Sequence, residues 1–477
     1  MESDTESKSA SDYDGLQKES DDDERTDFDT VLESINLDSL PGYASEVRQA
    51  LDPNAPGVKK IGSTIFGSWH LIWPVIFGDG VKWLFKVPAY GNRGDFTVAN
   101  SASLRAEALT MRLLRRETTI PVQEIFAFND KPDNEFNCAF LLVRFVEGKS
   151  LEDVWFDMTA PKEILQRRRT RALRDIAACM VQLERYSFDK GGTLLFDDQD
   201  RLSGIGPTVT PDTFGVGAPH FEDVIIDSGT MQLVAGPFDD PREYYEIELD
   251  WRGDEDTILK TGGTRLLRLF FKSMQQPRDG RKPFVLAHQD LSIDNFIVSE
   301  EGEVLAIIDW EYVMCVPRTL GYERLPNWLT IDWHPFYQWT EEIGSDARYY
   351  YSYWKQSPET LKYFRSVFAS AVWSCQHHGH TTRPIIPTFT TDSLIYDSLY
   401  MAAASPPAMM GILGKVFDEI KTILKREGIK VEGEHDDEGA FTCDSVLAAL
   451  GEDRLSEHRR RLLVRGFRLL LKHSYEL

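Results

Sequence analysis

The chain has 477 residues and a formal net charge of −24, with 42% hydrophobic and 12% aromatic residues. That is enough apolar material for two or three core-bearing units. So acidic a chain does not suit nucleic acid or an anionic membrane, which call for a basic surface.

Residues 1–30 hold twelve acidic and three basic side chains and almost nothing apolar. Such a stretch cannot offset its chain entropy by burial, so an acidic disordered tail is expected over 1–45. It has neither a basic n-region nor an apolar h-region, and so does not read as a signal peptide. The longest uncharged run, Ile61 to Gly78, is interrupted by glycine and proline and is short for a membrane span. Cys138, Cys179, Cys315, Cys375 and Cys443 are scattered and never form a Cys-x-x-Cys pair. Reduced thiols in a cytoplasmic protein are the expectation.

From about residue 46 to 146 the pattern is that of short strands around one helix. Gly62, Ser63, Thr64 and Gly67 form a glycine-containing turn between apolar residues. Leu71–Phe77 and Val81–Val87 flank Gly78-Asp79-Gly80, a hairpin signal. Ser101 to Arg116 carries Leu104, Ala108, Met111 and Leu114 at helical spacing. Two more strands follow Pro121, the second being Phe140 to Phe145. Gly148-Lys149-Ser150 invites a phosphate-loop reading, but position 143 is Val where that motif needs Gly.

Residues 147–477 read as a mainly helical region. It begins with a long helix over Ile164 to Tyr186 and contains a loop-rich insertion at about 190–255. Further helices are predicted at Pro358–Trp373, Met409–Lys425 and Leu455–Lys472. The triplet His377, His378 and His380 lacks the Cys/His company of a zinc site, and a solvated helix end is the simpler reading.

The chemistry concentrates in Ala287-His288-Gln289-Asp290-Leu291-Ser292-Ile293-Asp294-Asn295 and in Ile307-Ile308-Asp309-Trp310-Glu311. Each lies against a β-branched run. An Asp, an Asn five residues on and a second Asp fourteen beyond that are what phosphoryl transfer needs: a carboxylate to orient and deprotonate a hydroxyl, and two oxygen donors for Mg²⁺. Taken singly, each could be a turn residue bonding its own backbone. Lys86, in the strand Lys82–Val87, suits contact with nucleotide phosphates. Glu107 lies on the apolar face of its helix and needs a partner there. That partner is Lys86, or else Arg105 or Arg112 if the glutamate turns to the surface.

These motifs resemble the aminoglycoside phosphotransferase and choline kinase group, with Trp310-Glu311 where protein kinases carry Phe-Gly. The likeness runs from about 50 to 340. It implies an α+β, two-lobed protein-kinase-like fold, with an antiparallel-sheet N-lobe, a mainly helical C-lobe and an ATP·Mg²⁺ cleft. By the same resemblance Asp290 is the catalytic base and Asn295 and Asp309 are the metal ligands. Lys86, Glu107, Gly62, Ser63, Thr64 and Gly67 hold the nucleotide, and His288 braces the loop. The expected activity is phosphorylation of a small hydroxylated molecule; a protein kinase or a silent pseudokinase is the alternative. Trp310, Glu311, Tyr312, Glu323, Trp328, Asp332, Trp333, Tyr337, Trp339, Glu341 and Glu342 suit an amine-bearing acceptor, or are ordinary helical core.

Overall fold

The computed structural model describes residues 28–94, 96–211, 232–251, 256–274, 280–341, 356–377, 388–431 and 440–477. The chain divides into two compact units. The first holds residues up to Arg115 with Gln123–Val146; the second holds Arg116–Val122 and the chain from Glu147 onward, apart from 218–231. Both the antiparallel sheets and the helices of the expected α+β class are present.

The first unit opens with helices α1 (Asp29–Ser34) and α2 (Leu40–Leu51). Strands β1 (Val58–Ile61), β2 (Ile65–Phe66), β3 (His70–Phe77), β4 (Lys82–Pro88), β5 (Ile125–Asn129) and β6 (Phe140–Arg144) follow, with α3 (Val98–Glu117) between β4 and β5. They form one antiparallel sheet in the order β1-β3-β4-β6-β5, with β2 added on β3. The β3–β4 hairpin turns at 78–80, where Gly80 has φ +88° and so takes the left-handed conformation a side chain would resist.

Residues 28–45 correct the expected tail. Phe28, Val31, Leu40 and Ala44 are buried in one cluster with Trp73, Val75, Phe77, Trp83, Phe85 and Val87. A strand alternates its faces, so Trp83, Phe85 and Val87 share one side of β4, and the two helices cover that side. Averaging charge over the whole segment hid four well-spaced apolar residues. The acidic residues 1–27 lie outside the described residues.

In the second unit the long helix expected from Ile164 runs as α5 (Lys162–Val181) and ends in a 3₁₀ turn, Gln182–Arg185; the short α4 (Leu151–Trp155) precedes it. Strands β7 (Lys149–Ser150), β8 (Ser187–Phe188), β9 (Gly192–Phe196), β10 (Leu202–Gly206), β11 (Thr208–Pro211) and β12 (Gln232–Ala235) come next. The insertion at 190–255 is thus partly regular: β9 and β10 extend a five-stranded sheet, β11 pairs β12, and α6 (Pro241–Trp251) follows. Helix α7 (Ile258–Ser273) leads into β13 (Phe284–Ala287), β14 (Phe296–Val298), β15 (Val304–Ile307) and β16 (Met314–Pro317). The remainder is helical: α8 (Pro358–Gln376), α9 (Thr388–Ala404), α10 (Pro406–Arg426), α11 (Cys443–Gly451) and α12 (Glu457–Lys472). Among the described residues no helix is long and apolar enough to cross a membrane.

Candidate active site

In the first unit, β4 presents Lys86 on the side opposite Trp83, Phe85 and Val87, in register with Ile72 of β3 and Leu141 of β6. On α3, Glu107 lies three residues after Leu104 and four before Met111, all on the buried face. The two side chains meet: Lys86 Nζ is 3.8 Å from Glu107 Oε1, with the carboxylate only 3% exposed. At that distance they form a charge contact rather than a hydrogen bond. Gly62 lies in the turn between β1 and β2, and Gly67 in the turn between β2 and β3. Gly62 N–H donates to Pro74 O (2.7 Å) and Gly67 N–H to His70 O (2.8 Å). A Cβ on Gly62 would come within 3.0 Å of the Pro74 ring. Ser63 is exposed and Thr64 half-buried.

In the second unit, β13 delivers His288 and Asp290, and the β14–β15 hairpin delivers Asn295 and Asp309. Phe296 pairs with Ile307 in that hairpin, so Asn295 and Ile308 stand at its open end, where Ile308 N–H donates to Asn295 O (2.9 Å). Antiparallel register therefore pairs Asn295 with Ile308, thirteen positions on, and Asp309 is the next residue in the chain. Asp309 has φ +57°, a conformation that Asp tolerates better than most side chains but that costs about 1 kcal/mol or more. The next residue, Trp310, is fully buried and donates Nε1–H to Ile307 O (2.9 Å), which pins the bend.

Asp290 is exposed, while Leu291, Ile293 and Asn295 around it are buried. Its Oδ2 accepts from Asn295 Nδ2 (2.8 Å) and Ser292 Oγ (3.3 Å), and its Oδ1 from Asn327 Nδ2 (3.3 Å). Because the amide nitrogen of Asn295 also donates to Asp290 O (3.1 Å), its Oδ1 is the atom suited to a cation. That oxygen and the Asp309 carboxylate are both hard oxygen donors, the kind that a divalent cation such as Mg²⁺ takes.

His288 ties the loop to the hairpin. Asp290 N–H donates to its Nδ1 (3.2 Å), so the proton must lie on Nε2, which donates to Ile308 O (2.9 Å). Burial pushes the imidazole pKa down, in keeping with a neutral ring. Its edge meets Trp310 at 4.7 Å. This is the bracing role expected of it.

Much of the acidic, aromatic stretch after Asp309 is core. Glu323 pairs with Arg318 at 3.5 Å and Asp332 with Arg365 at 2.7 Å, all four side chains being 8% exposed or less. Burial pushes the Glu323 carboxyl up, against the pull of Arg318. Trp310, Trp328 and Trp333 are buried too. Tyr337 donates to Gln356 O (2.6 Å), and Glu311, Tyr312 and Trp339 are half-buried. Of the eleven residues only Glu341 is exposed, and Glu342 lies outside the described residues. The amine-binding reading thus loses Trp310, Glu323, Trp328, Asp332 and Trp333 to packing. Of the histidine triplet, His377 stacks on Trp373 (3.6 Å), and His378 and His380 lie outside the described residues.

Sequence reasoning missed Asn327 and Arg324. Arg324 donates from its guanidinium to Gln289 O and, at 3.4 Å, to His288 O. Both come from a loop more than thirty residues downstream, and no local motif marks them.

Residues 93–320 match the family model described as "Phosphotransferase enzyme family". Among curated proteins, the chain is similar to altered inheritance of mitochondria protein 9, mitochondrial. It is 24% identical to the Candida albicans SC5314 protein over 141 residues, covering 30% of this chain and 22% of that protein. It is 27% identical to the Komagataella phaffii protein over 181 residues, covering 35% and 29%. The match therefore spans less than a third of those relatives' length. Among solved structures, a macrolide 2′-phosphotransferase from Brachybacterium faecium is 12% identical, with 84% of this chain and 99% of that one covered and a TM-score of 0.39. That likeness is too low to bear on function. The family match includes Glu107, Asp290, Asn295 and Asp309; Lys86 and the Gly62–Gly67 turn precede it.

Proposed function

Starting from a chain whose residues 93–320 match the phosphotransferase enzyme family, we propose that it transfers the γ-phosphoryl group of ATP to a hydroxyl of a small molecule. The observation that carries this reading is the Asp290 loop. An exposed carboxylate is held at both oxygens above buried neighbours, and Asn295 and the hairpin end at Asp309 are tied to the same loop.

In this reading Asp290 accepts the proton of the acceptor hydroxyl as its oxygen attacks the γ-phosphorus. The bond to the β–γ bridging oxygen breaks and ADP leaves. When bound, Mg²⁺ would neutralise phosphate charge, held by Asn295 Oδ1 and the Asp309 carboxylate. Lys86, kept in place by Glu107, and Gly62, Ser63, Thr64 and Gly67 are the groups suited to nucleotide phosphates. The acceptor is a small hydroxylated molecule, and with Glu323 and Asp332 paired internally an amine on it is not required. The five free thiols suit a reducing compartment such as the cytoplasm, although the matched curated relatives are mitochondrial by name.

The test is ³¹P NMR of ATP and Mg²⁺ with a panel of sugars, hydroxylated amines and neutral alcohols. A new phosphate ester with stoichiometric ADP is expected for at least one acceptor. Tight ATP binding with no ester from any acceptor would leave a nucleotide-binding protein, not an enzyme.

A further inference from the structure

Residues 321–327 lie along the Asp290 loop and are fastened on two sides. Toward the loop, Arg324 donates to Gln289 O and His288 O, and Asn327 N–H donates to Leu291 O (3.1 Å). Toward α9, Leu325 N–H donates to Ser393 Oγ (3.0 Å) and Arg324 Nη1 is 3.6 Å from Asp397. A segment held at so many points has little freedom, and the one side chain it directs at the Asp290 carboxylate is Asn327.

We propose that Asn327 is a positioning residue for Asp290, a proposal that rests on the reading of Asp290 as the base. A carboxylate offers about four lone-pair sites. Two on Oδ2 are taken by Asn295 and Ser292, and one on Oδ1 by Asn327. A carboxylate can only accept, so the NH₂ end of the Asn327 amide must face it. Asn295 and Ser292 brace the planar group at one oxygen only, from one side of its last bond. Asn327 holds the other oxygen, so the plane is braced at both ends and one Oδ1 lone pair of this exposed carboxylate is left for an acceptor hydroxyl. Fixing it beforehand removes a reorientation from the reaction.

Two variants separate this from simple packing. Asn327→Ala deletes the donor. Asn327→Asp keeps the shape but sets a second negative charge against Asp290. If the amide acts as a donor to the charged base, kcat falls about tenfold in Asn327→Ala and by about a hundredfold or more in Asn327→Asp, with KM for ATP within about twofold of wild type. If Asn327 only fills space, the isosteric Asp variant is as active as the Ala variant or more so, and the proposal is overturned. The same pair is then made in an Asp290→Asn background, where the extra penalty of Asp over Ala disappears because the opposing charge is gone. A penalty that persists there contradicts the proposal. Should Asp290→Asn alone keep wild-type kcat, the base assignment itself falls; full loss in Asp290→Asn with both Asn327 variants at wild-type rate removes only the role of Asn327.

Discussion

The two units hold their polar residues by different physics. In the first, Lys86 and Glu107 come from a strand and a helix and meet as opposite charges at 3.8 Å, nearly out of water. In the second, the Asp290 loop is held by short-range hydrogen bonds from neutral donors, with a single charge, the Asp290 carboxylate, accepting from two asparagine amides and a serine hydroxyl beside a His288 ring of fixed tautomer. The contrast teaches that the first arrangement depends on both charges being present. The second spreads its hold over several modest bonds, so losing one brace should alter alignment before it alters folding.

The sharpest way to break this comparison is at the hairpin end. Asp309→Asn retains a residue that tolerates φ +57° and loses the charge, so the backbone is not at issue. We expect the fold to persist, with turnover down by about a hundredfold or more and the Mg²⁺ dependence of nucleotide affinity weakened, as read by calorimetry at several Mg²⁺ concentrations. Unchanged Mg²⁺ dependence would take Asp309 out of the metal site.

Next in size is the ion pair. Lys86→Met removes the cation beside a carboxylate that is only 3% exposed and should cost about 3 kcal/mol in urea unfolding, whereas Glu107→Gln leaves the Lys86 ammonium, which is 14% exposed and can reach water, and should cost about 1 kcal/mol. Equal costs would mean that Glu107 is satisfied elsewhere.

A third effect, confined to acid pH and absent at neutrality, is a pH dependence in the second unit. Burial pushes His334 down to about 4. Its unfolded value is near 6.5, so the unfolded chain binds the proton first. The neutral folded form is therefore favoured above 6.5, and that stability is lost as pH falls from 6.5 toward 4. The loss amounts to about 2–3 kcal/mol across the window. His334→Gln should flatten this limb relative to wild type; an identical acid limb would show that His334 stays solvated.

How much of this was legible follows from the same contrast. The Asp290 loop and its hairpin are encoded within about twenty consecutive residues, so motif and register could both be read. Lys86 and Glu107 could be paired because each broke the polarity of an otherwise apolar pattern. The N-terminal helices were missed because Phe28, Val31, Leu40 and Ala44 are few among many charges, and only the sheet they cover shows their purpose. Glu323 and Asp332 looked like acceptor ligands because their partners are invisible as partners in sequence. Arg318 is five residues from one, but Arg365 is thirty-three from the other. Asn327, thirty-seven residues from Asp290, is of the same kind.

The central claim, that Asp290 is the base of a phosphoryl transfer, is tested most directly by comparing wild type with Asp290→Asn in ATP binding and in turnover with the acceptor that NMR identifies. The account predicts unchanged ATP affinity and a kcat lower by about two to four orders of magnitude. A variant that binds ATP and turns over at the wild-type rate would contradict it.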